Sequence, residues 1–341
     1  MAGIVVVKSE EELRLSSLER GEVHRVNIHL SDNALGVPWK VPLIIIRGAE
    51  KGPILGVTAA LHGDELNGIS TIFKLIKEID PKKLKGTLVL VPISNVPGYL
   101  MNQRHFSDNV DLNRIMPGKP EGSTSDLYAH QFISKIVSKF TYLLDLHTAS
   151  HGRVNSLYLR ADIDSEETRT LAYLQNPQII VRKFDVSGTL RGWANDNGIP
   201  AITIEIGNSN AFQHSLIDET LEGILNTMKY YEMIEGEVED LVTDATVCDN
   251  SYWIYSNKGG IADVFPNLAD KVKAGEVIAK IYDVFGHVKE EIKADRSGVV
   301  IGKNVRPNCD AGTRILHLGV NIIDPDTENI PGHEDFEEHH Q

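Results

Sequence analysis

Ile54-Leu55-Gly56-Val57-Thr58-Ala59-Ala60-Leu61-His62-Gly63-Asp64-Glu65-Leu66 is the stretch that decides the architecture. Residues 54–60 form a short apolar run flanked by Gly52-Pro53 and His62-Gly63, the pattern of a buried strand. Leu66, Ile69, Ile72, Phe73, Ile76 and Ile79 then recur at helical spacing, so a helix is expected from near Asp64 to just before Pro81. Working outward, residues 24–48 alternate and read as one or two strands around a polar turn at 31–33. Downstream, residues 87–92, 142–146, 178–182 and 201–206 are strand-like, and 126–139 and 216–233 helical. Strands alternating with helices imply an α/β fold with a mixed sheet flanked by helices, where ligands collect at the carboxyl ends of strands.

The acidic stretch 235–240 marks a boundary. Residues 1–240 are expected to form the larger, α/β domain, with 1–50 as a leading β segment. Residues 245–325, punctuated by Gly259-Gly260, Gly275, Gly286, Gly298, Gly302 and Gly312, read as a small all-β domain. Residues 326–341 read as an acidic, solvated tail despite His333, His339 and His340.

Composition narrows the function classes. The 341 residues are 41% hydrophobic and 24% charged, which excludes a disordered or collagenous chain. A net charge of −14 repels phosphate backbones and anionic lipid, so neither nucleic acid nor membrane is expected as a partner. No apolar run reaches membrane-helix length and the start lacks a secretory pattern. Cys248 and Cys309 are too few and too far apart for a disulfide framework or zinc finger, so a reduced, cytoplasmic setting is expected.

Three strand ends carry unusual polar residues. His62 and Glu65 flank a glycine that lets the chain turn sharply, and Asp145-Leu146-His147-Thr148 closes another apolar strand. Together His62, Glu65 and His147 make two imidazoles and a carboxylate, a ligand set of catalytic zinc that leaves a position for water or substrate. Singly each is ordinary, since a first-turn Glu suits the helix dipole and a His after a strand is often just a satisfied polar group. Asp145 reads either as the carboxylate that orients a ligand imidazole or as a polar residue within the strand. The third end is Thr203-Ile204-Glu205-Ile206-Gly207. A carboxylate inside an apolar strand needs a partner or a function: a salt bridge to an Arg, or general base and then acid beside a metal-bound water. Arg104 and the polar loop 108–114 offer guanidinium groups for a carboxylate substrate or a developing oxyanion.

Taken in order, Leu61-His62-Gly63-Asp64-Glu65-Leu66-Asn67-Gly68, Val91-Pro92-Ile93-Ser94-Asn95, Arg104, Asp111-Leu112-Asn113-Arg114, Pro117-Gly118, Asp145-Leu146-His147-Thr148 and Ile204-Glu205-Ile206-Gly207 resemble the succinylglutamate desuccinylase/aspartoacylase family, a branch of the zinc carboxypeptidase-like fold. The resemblance implies one zinc ion per chain on His62, Glu65 and His147, with Glu205 as catalytic acid/base. It also implies that Asn113 and Arg114 grip the substrate carboxylate and that Arg104 polarises the carbonyl. Arg191 lies where the family carries a further substrate contact, and Tyr252 and Tyr255 compete for the place of a carboxy-terminal substrate tyrosine. Residues 270–278 and 294–300 are similar to half of a biotinyl/lipoyl-type barrel sandwich. The corresponding turn, Phe285-Gly286-His287, lacks a central Lys, so the module is read as a cap on the cleft mouth, with Lys289 the residue a carrier reading would need.

The expectation is a zinc-dependent amidohydrolase releasing an acyl group from an N-acyl amino acid or related small carboxylated molecule, with homo-oligomers allowed. A zinc carboxypeptidase acting on peptides and a non-catalytic carboxylate-binding protein are the rival readings.

Overall fold

The computed structural model describes residues 7–182, 187–238 and 245–323, so the tail 326–341 with its three histidines lies outside the described residues. The strands are β1 (Val7–Glu10), β2 (Glu22–Asp32), β3 (Pro38–Arg47), β4 (Glu50–Ala59), β5 (Lys85–Val91), β6 (Tyr142–His147), β7 (Arg153–Asn155), β8 (Leu157–Ala161), β9 (Ile179–Arg182), β10 (Ala201–Ile206) and β11 (Thr246–Tyr255). They continue with β12 (Gly260–Val264), β13 (Lys271–Val272), β14 (Val277–Tyr282), β15 (Val288–Lys293), β16 (Gly298–Asn304), β17 (Asn308–Cys309) and β18 (Arg314–Ile323). The α-helices are α1 (Asn67–Glu78), α2 (Val96–Leu100), α3 (Thr124–Lys135), α4 (Glu166–Leu174), α5 (Leu190–Asp196) and α6 (His214–Tyr230).

Among the described residues fourteen strands join one mixed sheet in the order β1-β2-β3-β5-β4-β6-β10-β8-β9-β11-β18-β16-β13, with β7 paired to β16. The central strands β5, β4, β6 and β10 run parallel to one another and are mostly apolar through their middles, because helices cover both faces. One face packs Ile69, Ile72 and Leu75 of α1, Leu171 of α4 and Ile224 and Met228 of α6. The other packs Tyr128, Phe132 and Ile133 of α3 and Leu190 and Ala194 of α5.

Two local expectations shift. The β2–β3 turn sits at 33–37 rather than 31–33, because Asn33 Oδ1 accepts from the backbone N–H groups of Leu35 and Val37 and closes the turn there. Helix α1 begins at Asn67, three residues after Asp64, because residues 62–65 close a turn in which the Glu65 N–H donates to the His62 carbonyl at 3.1 Å. Gly63 is needed in that turn: a Cβ there would lie 2.1 Å from the Gly98 carbonyl carbon. Glu65 therefore precedes the helix instead of lying in its first turn. Phe73, expected on the buried stripe, is 51% exposed on the flank of α1.

The C-terminal strands continue the main sheet through the parallel β9–β11 pairing. A second sheet, β15-β14-β12-β17, faces β11, β16 and β18 across a core of Ile278, Ile281, Val300, Leu316 and Leu318. Lys289 lies within β15 and donates to the Gly259 carbonyl. Among the described residues no helix is long and apolar enough to cross a membrane.

Candidate active site

At the carboxyl ends of the central strands the chain turns polar. His62 follows β4, His147 ends β6, and Glu205 is the next-to-last residue of β10. Glu205 and His147 are register partners on adjacent parallel strands, so the pleat puts both side chains on the same face of the sheet. His62, Glu65 and His147 are buried, and one ligand atom from each falls within 4.8 Å of the others.

The way these groups are held shows whether they suit a cation. His147 Nε2 lies 2.8 Å from Asp145 Oδ2, and Asp145 Oδ1 accepts from the Thr58 hydroxyl at 2.7 Å. His62 Nε2 lies 3.1 Å from Asp111 Oδ1. With each Nε2–H donating outward to a carboxylate, both Nδ1 lone pairs turn inward. They face each other at 3.1 Å, with Glu65 oxygens 2.9 Å from each. Three electron-pair donors meeting in a buried site call for a positive charge between them, and outward carboxylate–imidazole bonds are the usual support of metal-bound histidine. The donor set thus fits a metal such as zinc. Titration directions agree. Burial alone would push the His147 imidazole down, yet Asp145 and Glu65 hold it well above the ordinary histidine value. Burial would push the Glu65 carboxyl up, yet His62 and His147 hold it well below the usual range.

Arg104 is locked beside this group. Its Nε and one terminal nitrogen fork Asp111 Oδ2 at 3.2 and 3.0 Å, and the other donates to Glu65 Oε1 at 3.0 Å and Ser150 Oγ at 2.9 Å. Burial works against ionised Asp111, but His62 and Arg104 outweigh it and keep the carboxyl well below its ordinary value. Asn113 Oδ1 accepts from the Leu190 N–H at 2.7 Å, which ties the polar loop 108–114 to the start of α5 and so to buried Arg191.

A cavity of about 410 Å³ opens over these residues, and His62, Glu65, Arg104, Asn113, Arg114, His147, Arg191 and Glu205 all line it. Tyr252 and Tyr255 do not line it: the Tyr252 hydroxyl donates to Asp295, and that of Tyr255 accepts from Arg314 Nε at 3.3 Å. Trp253, between them, lines the wall together with Arg314 and His317. Arg153, Asn155, Tyr158 and Arg160 also line it, and none of them is marked out by the sequence motifs. Arg160 Nε lies 3.5 Å from Glu205 Oε1, so the strand carboxylate has an arginine partner and also faces the cavity.

Comparison with known proteins places the chain in a family. Residues 51–231 match the Succinylglutamate desuccinylase/Aspartoacylase catalytic domain. The chain belongs to the succinylglutamate desuccinylase/aspartoacylase family. Within it, the chain is 27% identical over 292 residues to N-alpha-acetyl-L-2,4-diaminobutyric acid deacetylase of Halomonas elongata, covering 81% of this chain and 84% of that one. The fold is that of the product-bound ectoine utilization protein EutE (DoeB) from Ruegeria pomeroyi, with a TM-score of 0.81 at 20% identity over 89% of this chain and 97% of the other. The succinylglutamate desuccinylase/aspartoacylase from Rhodobacter sphaeroides superposes with a TM-score of 0.79 at 21% identity, over 90% and 97% of the two chains. The catalytic-domain match ends at residue 231, ahead of β11, so Trp253, Arg314 and His317 lie outside it.

Proposed function

We propose that the protein hydrolyses the amide bond of N-acyl amino acids, with one zinc ion held by His62, Glu65 and His147. The observation that carries this reading is the register pairing of Glu205 with His147, which sets a carboxylate beside the converging donor group on one cavity wall. When bound, zinc would polarise the scissile carbonyl and acidify a water. Glu205 takes the proton of the attacking water and passes it to the departing amine nitrogen. Arg104, pinned by Asp111, Glu65 and Ser150, donates to the carbonyl oxygen as it gains charge. Asn113 and Arg114 grip the substrate carboxylate, and Arg191 makes a further contact from α5. The C-terminal unit shapes the mouth of the cleft. Two unpaired, buried thiols, Cys248 and Cys309, suit the reduced cytoplasmic setting that belongs to this reading.

The test is the Glu205→Gln variant, assayed on N-acetyl and N-succinyl amino acids and on peptides with a free carboxyl terminus. Turnover should fall by about 10²- to 10⁴-fold, with zinc content by mass spectrometry equal to that of the wild type. Unchanged turnover removes Glu205 from the chemistry, and a wild type that cleaves peptides and no N-acyl amino acid replaces the deacylase reading with the carboxypeptidase one.

A further inference from the structure

One short stretch of chain converges on the Glu205 carboxylate from two sides. Asn155, at the end of β7, donates to Oε2, and Arg160, in β8, holds its Nε 3.5 Å from Oε1. Tyr158 lies between them in sequence and stands opposite Glu205 in the antiparallel register of β8 and β10, with Arg160 opposite Thr203. Alternation puts Tyr158, Arg160, Thr203 and Glu205 on one face of the sheet, and all four line the cavity.

Arg160 reaches Tyr158 as well. Its Nη2 donates to the Tyr158 hydroxyl at 2.6 Å, and its guanidinium carbon lies 5.3 Å from the ring centroid. Burial and the Glu205 charge push the Tyr158 hydroxyl above its ordinary value against the pull of Arg160, so it keeps its proton. A hydroxyl that accepts from a guanidinium has that one proton left to give, and Glu205 is the carboxylate it faces. The ring cannot swing away, because Tyr158 is buried among Ile179, Val181 and Ile301 and meets His317 in a T-shaped contact at 6.0 Å. Offsetting the charge of Glu205 in its apolar strand would take one arginine. The arrangement does more: an amide, a guanidinium and a hydroxyl restrain both oxygens, which fixes the plane of a group that must meet a proton at hydrogen-bond distance.

We propose that Arg160 and Tyr158 are positioning residues for Glu205: Arg160 acts on the carboxylate directly and through the Tyr158 hydroxyl, and the two hold it in the orientation that takes the proton of the attacking water. The inference rests on the reading of Glu205 as general base and deepens it, because the arginine pairing and the proton transfer become parts of one arrangement. Neither residue is among those the family motifs assign.

The test compares Tyr158→Phe, Arg160→Gln and Arg160→Ala with the wild type, all zinc-loaded, on the N-acyl amino acid that the wild type cleaves fastest. Arg160→Gln should lower kcat about 10- to 100-fold and Tyr158→Phe about tenfold, with KM within about twofold and zinc content unchanged. Added guanidinium ion should raise kcat severalfold in Arg160→Ala, where it finds room, and leave Arg160→Gln as it was. Tyr158→Phe removes one oxygen and keeps the ring in its core, so it remains a test should an Arg160 variant fail to fold. An ion pair of structural value alone predicts lower unfolding stability with kcat of the folded enzyme unchanged, and that result overturns the proposal. Crystal structures of Tyr158→Phe and Arg160→Gln supply a readout that needs no turnover: the Glu205 carboxylate should rotate away from Asn155, and a carboxylate in its wild-type place in both variants overturns the proposal too. A wild type that cleaves no N-acyl amino acid counts against the deacylase reading, while the position of Glu205 in the two crystal structures still decides this one.

Discussion

Asn155 Nδ2 donates to Glu205 Oε2 at 3.3 Å, across fifty positions of chain. Asn155 ends β7, and β7 is paired with β16 of the C-terminal unit, where Gly302 stands opposite Asn155. A Cβ on Gly302 would lie 2.3 Å from Asn155 Oδ1 and 2.9 Å from the Val154 carbonyl oxygen. The missing side chain thus makes room for the amide that holds Glu205, and the C-terminal unit reaches the proposed base through a strand contact.

Gly302→Ala should therefore act on the chemistry rather than on substrate affinity. The methyl group displaces Asn155, Glu205 loses a charge-assisted hydrogen bond, and kcat should fall about tenfold or more with KM little changed. Asn155→Ala should give a similar loss, and the double variant should lose no more than either alone. Steady-state kinetics on all three variants check this; losses that multiply would show that Gly302 acts by another route.

Asp145 holds His147 Nε2 and is itself held by Thr58, which fixes the tautomer that turns Nδ1 toward Glu65. Asp145→Asn keeps the shape and removes the charge. Zinc affinity should drop about 10- to 100-fold, measured by competition with a chromophoric chelator. Unaltered affinity would leave Asp145 a buried polar residue of the strand and nothing more.

The apolar runs and their polar ends made the central strands, α1 and the converging pair of histidines legible, because a strand buried on both faces writes itself as an unbroken hydrophobic stretch. The start of α1 was less so: the hydrophobic period runs back to Leu66, but the turn at 62–65 is set by a close approach to Gly98 that local sequence does not record. Residues 153–161 carry no strand pattern of their own. β7 is three residues long, and Arg160 interrupts the apolar run of β8, whose antiparallel pairing with β10 joins Tyr158 to Glu205 from 47 positions away. Arg153, Asn155 and Arg160 stayed hidden with them. In β11 the tyrosines drew attention, yet alternation turns Tyr252 toward the core of the C-terminal unit and its neighbour Trp253 toward the cavity.

Cys248 gives a pH dependence that can be read without the active site. The thiol is fully buried, and burial pushes it up to about 12, well above the ordinary range of a free thiol. A group raised on folding contributes stability below its unfolded value and loses it as pH climbs toward the folded one. Between pH 8 and pH 10 the unfolded chain ionises and the folded one does not, which costs about 1.4 kcal/mol. Urea unfolding at both values should show the wild type losing about that much more than Cys248→Ala; an identical loss in both proteins would place the alkaline sensitivity elsewhere.

Metal removal tests the convergence of His62, Glu65 and His147 most directly. Without a cation the inward lone pairs of His62 and His147 face each other at 3.1 Å, and extra protons must supply the charge. A ligand that binds only the folded chain stabilises it by about 4 kcal/mol at a thousand times its dissociation constant. Chelation should therefore lower the melting temperature by several degrees, and added zinc should restore it. His62→Ala and His147→Ala should abolish the zinc response even where their own melting temperatures match the chelated wild type. Zinc that stabilises these variants as much as the wild type would mean that the ion binds elsewhere, and the three side chains would then be a hydrogen-bonded cluster with no metal to hold.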